Sequence, residues 1–326
     1  MGEVAIIADS GGKGYDFARG VYNYVADKKE RDFSISMIDL ETTNFKDGEF
    51  KVRIKDNIRR KNCFLIHDSN QEPSKWFTSL AFVLDAMAFS SPAEINLIMP
   101  YTRFARQERK EDSRVSVNAK VLANLVSDYA DRGLAVDLHA PQMQEYFSIP
   151  FDNLYSFPSL ITHLRSHHAG CLDNLVVVSP DLGGGKRAEA LVKRLGKQGI
   201  LANVALGYKT RKKENEVERV VLIGDVAGKN CLVVDDMIDT GGTMIKTGEA
   251  LLEKGAASVC AWATHGLFND KKRDFSVFNE VMVSDTLQQQ DPMKNLEVVS
   301  LTGLIGEAVY RTVVGESLSD LFNSHQ

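Results

Sequence analysis

Six short apolar runs punctuate the chain: CFLIHD at 63–68, INLIMP at 95–100, LAVDLH at 134–139, LVVVSPD at 175–181, CLVVDD at 231–236 and SVCAWATH at 258–265. Runs of this length suit strands rather than helices, and segments of helical period separate them, so the chain reads as successive βα units. Strands that are apolar throughout, rather than at alternate positions, belong to parallel sheets covered by helices on both faces. The expected fold class is α/β, with mainly parallel sheets flanked by helices. Most of the runs end on Asp, His or Pro, and in open α/β sheets ligands bind outside the carboxyl ends of the strands. The chemistry is expected at those ends.

A chain of 326 residues is long enough for about two domains. CFLIHD is followed some way on by SSPAEINLIMP, and CLVVDD by KGAASVCAWATH at a similar distance, which suggests two related halves. The junction should fall near 153–158, where NLYSFP carries a proline and little periodicity. We therefore expect domains over 1–155 and 156–311, with a tail over 312–326 that packs back on the first.

Thirty-nine Lys and Arg against 44 Asp and Glu give 39 − 44 = −5, which disfavours a dedicated nucleic-acid binder. The N-terminus lacks the basic segment of a signal peptide, and no stretch reaches about 18 apolar residues, so no membrane association and a cytoplasmic location are expected. Cys63, Cys171, Cys231 and Cys260 show no CxxC spacing and have apolar neighbours, as buried thiols do.

The most informative segment is CLVVDDMIDTGGTMIKTGEALLEKGA at 231–256. An apolar strand delivers Asp235 and Asp236 to its carboxyl end; Asp239, Thr240, Gly241, Gly242 and Thr243 then turn into a helix that should run to about Lys254, with Gly255 as its stop. Glycines let a backbone approach an anion, and the amides of a helix N-terminus favour a phosphate. Two carboxylates facing that phosphate suit the vicinal hydroxyls of a sugar, because carboxylates only accept hydrogen bonds. A phosphorylated sugar fits both ends. GGGKRA at 183–188 is not a P-loop, since no Ser or Thr follows Lys186 and no Gly stands at position 180.

This loop resembles the ribose-phosphate motif of the phosphoribosyltransferase fold. FKDGEFKVRIKDNIR at 45–59, MPYTRFARQERK at 99–110, VDLHAPQMQEYFSIPFDNLYSFP at 136–158, VVVSPDLGGGKRAEA at 176–190, LGYKTR at 206–211 and VLIGDVAGKNCLVVDDMIDTGGT at 221–243 extend the likeness. Together, and in this order, they are similar to the ribose-phosphate pyrophosphokinase family. The resemblance implies two phosphoribosyltransferase-type domains, the first on the ATP side and the second binding ribose 5-phosphate. It implies transfer of the diphosphoryl group of ATP to the 1-hydroxyl of ribose 5-phosphate, with Mg²⁺ required, for nucleotide biosynthesis. By the same resemblance Phe45, Asp47, Glu49, Arg106 and Gln107 bind ATP, His139 and Asp181 lie at the metal, and Asp235, Asp236, Asp239, Thr240, Gly241, Gly242 and Thr243 hold the sugar phosphate. Lys209 and Arg211 match the family's catalytic Lys-x-Arg; fixed cations there would stabilise charge developing on the transferred group.

The family's allosteric phosphate site maps onto Arg59, Ser317 and Ser319, although Asn57 stands where the family carries a serine. Glu145 and Tyr146 also depart from the family pattern. A homo-oligomer is implied, a hexamer or its dimer building block. Two rivals share the fold: a base phosphoribosyltransferase, which would not need the FKDGE, ARQERK or Lys209 segments, and a regulatory homologue that has lost catalysis, against which the retained His139, Asp181, Lys209 and Arg211 count.

Overall fold

The computed structural model describes residues 2–29, 32–210, 219–290, 293–319 and 321, with the backbone alone for Lys209, Thr210 and Arg219. The first half of the chain runs β1 (Glu3–Asp9), α1 (Tyr15–Ala26), β2 (Ser34–Asn44), β3 (Phe50–Ile54), β4 (Asn62–Ile66), α2 (Pro73–Phe89), β5 (Glu94–Met99), α3 (Asn118–Tyr129), β6 (Arg132–Val136) and β7 (Phe151–Leu154). The second runs α4 (Phe157–His167), β8 (Leu175–Ser179), α5 (Gly185–Lys197), β9 (Ala202–Thr210), β10 (Arg219–Ile223) and β11 (Asn230–Ile238). It continues with α6 (Gly242–Glu253), β12 (Ser258–Gly266), β13 (Glu280–Ser284), β14 (Leu296–Val299) and α7 (Thr302–Val314). All six apolar runs are strands.

Among the described residues the strands form two seven-stranded sheets, ordered β3-β2-β1-β4-β5-β6-β7 and β10-β9-β8-β11-β12-β13-β14. Each is parallel except for one antiparallel edge pair, β2 with β3 and β9 with β10. Burial on both faces explains the unbroken apolar runs: along β4, Cys63 and Leu65 join the core under α2 and α3, while Phe64 and Ile66 join the core under α1. In the second sheet Val233 packs on the α6 side and Val234 on the α5 side.

The halves repeat one another in register. Val4 of β1 aligns with Asn62 of β4, as Leu175 of β8 aligns with Asn230 of β11, and a Cys follows each Asn. The amide of Ile95 is held by Asp131 Oδ2 at 2.8 Å, and that of Val259 by Asn279 Oδ1 at 2.9 Å. The amide of Asp137 reaches the Leu154 carbonyl, and that of Asp285 reaches the Val299 carbonyl. The duplication expected from two short apolar matches thus extends to individual backbone bonds.

The chain divides into a unit of Met1–Tyr155, Thr286–Gln288 and Leu301–Phe322 and a unit of Ser156–Asp285, Gln289–Ser300 and the last four residues. The break at Tyr155 lies within the expected junction, and the return to the first unit begins at Leu301, so that α7 belongs to it whole. The helices that follow the seventh strand of each sheet, α4 and α7, are therefore each counted with the other half's sheet. α7 lies against α1 with small residues at the closest points, Gly20 against Thr302 and Gly306 against Tyr24. Beside them Glu307 accepts from Lys28 Nζ at 2.6 Å, Tyr24 Oη at 3.0 Å and Arg311 Nε at 2.8 Å.

A Cβ at Gly306 would stand 2.5 Å from Tyr24 Cδ1 and 2.9 Å from Tyr24 Cβ. Gly306→Ala should therefore lower stability by about 1–3 kcal/mol through overpacking, more than the roughly 1 kcal/mol an alanine ordinarily gains in a helix. Urea denaturation decides; a midpoint at or above that of the wild type would show that the two helices part freely.

Candidate active site

In both sheets the strand order reverses next to the first strand, between β1 and β4 and between β8 and β11, the kind of position at which α/β sheets open a crevice. In the second unit the ladder between β8 and β11 ends at Val178 opposite Val233, whereas β11 continues to Ile238 paired only with β12. Asp235 and Asp236 lie on that continuation. Across the crevice β8 ends in Ser179, and Pro180 to Gly184 turn the chain into α5. The turn is tight: Ser179 Oγ donates to the Asp181 carbonyl at 2.7 Å, and the Gly184 amide donates to Asp181 Oδ1 at 3.0 Å.

The first turn of α5 carries Arg187, whose Nη1 lies 2.9 Å from Asp235 Oδ1 and 3.2 Å from Asp236 Oδ1. One guanidinium holds two carboxylates in place. Asp236 is buried, while the side chain of Asp235 keeps 26% of its exposure and so remains open to a ligand. Burial and then the Asp236 carboxylate push Asp235 well above the ordinary carboxylate range, against the pull of Arg187. Sequence reasoning missed Arg187. A basic pair opening a helix directly after a strand whose neighbour ends in two acids was the signal available for it.

From Asp236 the chain reaches Asp239, whose Oδ1 accepts from Asn269 Nδ2 at 2.7 Å and whose carbonyl accepts from the Asn269 amide. Thr240 is exposed and Gly241 buried. Gly241 precedes α6 at φ 76°, and a Cβ there would meet the Phe275 ring at 2.3 Å, so only glycine fits. The N-cap position of α6 is Gly241 itself rather than an aspartate. The helix ends at Lys254 with Gly255 at φ 82°, as its sequence requires. A carboxylate pair and a glycine-opened helix N-terminus thus follow one another within nine residues of one chain segment. That combination supplies acceptors for hydroxyls and donors for a phosphate.

Phe45, Asp47 and Glu49 form the turn of the β2–β3 hairpin, closed by the Phe45 amide on the Glu49 carbonyl at 2.7 Å and by the Glu49 amide on Asp47 Oδ1 at 3.1 Å. Pairing of β2 with β1 stops at Leu40, so the hairpin tip runs on beyond its sheet and leaves Phe45 48% exposed rather than in a core. Arg106 and Gln107 are exposed in the connection after β5, where Gln107 Oε1 accepts from Asn118 Nδ2. Two strands separate that connection from the hairpin, about 14 Å at ordinary strand spacing. His139 is exposed just past β6 in the first unit, whereas Asp181 belongs to the second. Lys209 lies on β9 with its backbone opposite Val220; Arg211 lies outside the described residues.

Arg59 stands exposed between β3 and β4. Ser319 lines a polar groove of about 310 Å³ with Arg132 and Arg311, and the Ser317 carbonyl accepts from Arg311 Nη1 at 3.0 Å. Among the described residues Arg59 has no hydrogen bond or ion pair with either serine. No described helix is long and apolar enough to cross a membrane.

The repeated parallel sheets, each with a reversal crevice, and the acid pair joined to a glycine-opened helix define a phosphoribosyltransferase-type protein with two such domains. The family described as the N-terminal domain of ribose phosphate pyrophosphokinase matches residues 12–129, and the phosphoribosyl synthetase-associated domain matches residues 200–323. Ribose-phosphate pyrophosphokinase of Chlorobaculum tepidum is 41% identical over 293 residues, covering 88% of each chain. That of Agrobacterium fabrum is 37% identical over 314 residues, covering 94% of this chain and 99% of its own. Phosphoribosylpyrophosphate synthetase from Mycobacterium smegmatis superposes with a TM-score of 0.83 at 27% identity, over 97% of this chain and all of that one. The chain belongs to the ribose-phosphate pyrophosphokinase family.

Because Asp235 binds its proton more tightly folded than unfolded, it costs stability as pH rises from the ordinary carboxylate range near 4. Asp235→Asn removes that cost. The variant should melt higher than wild type at pH 8 by a few degrees, with a smaller difference at pH 5. Scanning calorimetry at both pH values checks this, and a difference that shrinks as pH rises would reverse the sign assigned to the pair.

Proposed function

We propose that this chain transfers the β,γ-diphosphoryl group of ATP to the anomeric hydroxyl of ribose 5-phosphate, releasing AMP and phosphoribosyl pyrophosphate. The observation that carries the reading is the Asp235–Asp236 pair held by Arg187 and leading directly into the glycine-opened N-terminus of α6. The segment Asp239–Thr243 receives the 5-phosphate on backbone amides and threonine hydroxyls. Asp235 and Asp236 accept from the 2- and 3-hydroxyls, which fixes the sugar at both ends and leaves its anomeric oxygen aimed at the donor.

On the ATP side, Phe45 stacks on the adenine in this reading while Asp47, Glu49, Arg106 and Gln107 meet its polar edge and phosphates; the exposure of Phe45 at the hairpin tip supports it. Asp181, an oxygen-only donor at the end of β8, fits a hard cation that binds through a carboxylate and substrate phosphates; His139 is the less usual partner for such an ion. These two would hold Mg²⁺, which when bound neutralises charge on the triphosphate oxygens. Lys209 and Arg211 supply fixed positive charge where the non-bridging oxygens of the β-phosphorus gain negative charge in the displacement. We further propose a homo-oligomer, and the allosteric phosphate site at Arg59, Ser317 and Ser319 belongs to the same reading.

AMP should form from ATP only when ribose 5-phosphate is present, and the Asp235→Asn, Asp236→Asn double variant should lose affinity for the sugar phosphate while still binding ATP. No sugar-dependent AMP, or consumption of phosphoribosyl pyrophosphate with a free base instead, would remove the reading in favour of a base phosphoribosyltransferase.

Lys209→Ala or Arg211→Ala should lower kcat by about 10²–10⁴, equivalent to roughly 3–5 kcal/mol, with KM values within a few-fold. The double variant should fall short of the product of the two losses. Steady-state kinetics test this; a large rise in KM with kcat preserved would reassign both residues to ground-state binding.

A further inference from the structure

At the opposite, amino-terminal edge of the second sheet, side chains from three elements converge. His163 of α4 and His168, which caps it, each place Nε2 2.8 Å from the same oxygen, Oε2 of Glu297 on β14. The other ring nitrogen of His168, Nδ1, lies 2.9 Å from Oε2 of Glu280, the first residue of β13. The three converging atoms lie within 4.8 Å of one another. Both histidine side chains are 14% exposed and Glu297 is 35% exposed, so the cluster is shielded but reachable.

The duplicated fold supplies a comparison within the same chain. β13 and β14 occupy the places of β6 and β7, which puts Glu280 where the first half has Arg132 and Glu297 where it has Asp152. In the first half those two residues form an ordinary ion pair, Arg132 Nη1 to Asp152 Oδ2 at 2.8 Å. In the second half both positions are carboxylates, and among the described residues of the sheet no Lys or Arg is recorded pairing with them. Two imidazoles brought in by α4 fill the gap.

We propose that His163 Nε2, His168 Nε2 and Glu297 form a binding site for a first-row divalent cation of the zinc class. Two imidazole nitrogens and one carboxylate oxygen form a donor set suited to zinc and its neighbours rather than to magnesium or calcium, and the fourth position is left for water. The cation takes the place of the Nε2 proton on His168. Nδ1–H of that ring stays on Glu280, the carboxylate–histidine pairing that orients metal-bound imidazoles. Cys171 and Cys260 line a cavity beside His168, but among the described residues the donor atoms that converge are those of His163, His168 and Glu297, so the site is built of nitrogen and oxygen. The ion would pin the C-terminal end of α4 to the β13–β14 edge. It binds independently of the crevice at Asp235 and Asp236, which lies at the carboxyl edge.

The test uses the untagged full-length protein, stripped with chelator and returned to excess Mg²⁺ so that hard-cation sites are filled. Zn²⁺ is titrated by calorimetry, and Co²⁺ by its visible d–d absorption. One equivalent should bind per chain, with a Co²⁺ spectrum of low coordination number and a rise in melting temperature on adding Zn²⁺. His163→Ala with His168→Ala should abolish binding, Glu297→Gln should weaken it at least tenfold, and Glu280→Gln should weaken it about 10- to 100-fold with the stoichiometry unchanged. The Asp235→Asn, Asp236→Asn protein should bind as wild type does. Absence of saturable binding in the wild type would overturn the proposal. So would binding retained in the double histidine variant or lost with the crevice aspartates. If the histidine variant fails to fold, unchanged affinity in Glu297→Gln overturns it alone.

Discussion

The parting of β8 from β11 beyond Val178 and Val233 is the constraint on which the site depends. Two adjacent carboxylates inside a fully paired sheet would be buried without compensation, which costs several kcal/mol per ion. Here β11 runs on past its neighbour, and Arg187 enters the opening from the first turn of α5 to meet both acids. The position of Arg187 depends in turn on how sharply the chain turns after β8. A Cβ at Gly184 would lie 2.6 Å from Ser179 Oγ, and one at Gly207 on the neighbouring strand 2.8 Å from the Pro180 carbonyl oxygen. Small residues set the turn, the turn sets the guanidinium, and the guanidinium makes the acid pair tolerable.

Tolerable is not neutral. Asp235 stays raised against the pull of Arg187, so ionising both acids of the pair carries an electrostatic cost. The first unit shows the same scaffold without that cost. His67 and Asp68 stand where the second unit has Asp235 and Asp236, but His67 donates Nε2–H to the Trp76 carbonyl at 2.9 Å, and burial holds its ring neutral by pushing it down to about 4. Asp68 accepts from the amide and side chain of Asn70, and a Cβ at Gly12 or Gly14 would reach its oxygens at 2.7 Å. One half therefore leaves its acid pair part-exposed at the crevice while its twin has engaged the same positions with its own groups.

The sequence exposed the fold through the runs that are buried on both faces, since Cys63 to Ile66 or Leu232 to Val234 are apolar whichever way they point. It exposed the turn before α6 because Gly241, at φ 76° against the Phe275 ring, meets a backbone requirement that no other residue meets. The edge pairs β2–β3 and β9–β10 were less legible, because half-exposed strands such as KVRI alternate and blend into ordinary surface. Arg187 was hidden for a different reason: it acts on residues 48 and 49 positions away, through a strand adjacency that only the sheet order reveals. The transfer of α7 to the first unit was invisible too, since its apolar face would suit either sheet.

Duplication turns these differences into a map. At the amino edge most of the joints that only build the sheet are repeated: the Ala93 amide on the Lys61 carbonyl matches that of Ala257 on Lys229, both at 2.8 Å. At the carboxyl edge the halves diverge, with histidine facing aspartate and a short strand facing a long one. Identical scaffolding under relaxed constraint would drift anywhere, whereas the divergence concentrates where polar groups are buried with partners of opposite charge or donor sense. The exception at the amino edge is the exchange of Arg132 and Asp152 for Glu280 and Glu297. It replaces a self-sufficient ion pair with two acids met by two imidazoles from outside the sheet. The exchange sets the amino edge of the second half apart from that of the first, and it is there, not in the joints that build the sheet, that the proposed cation site falls.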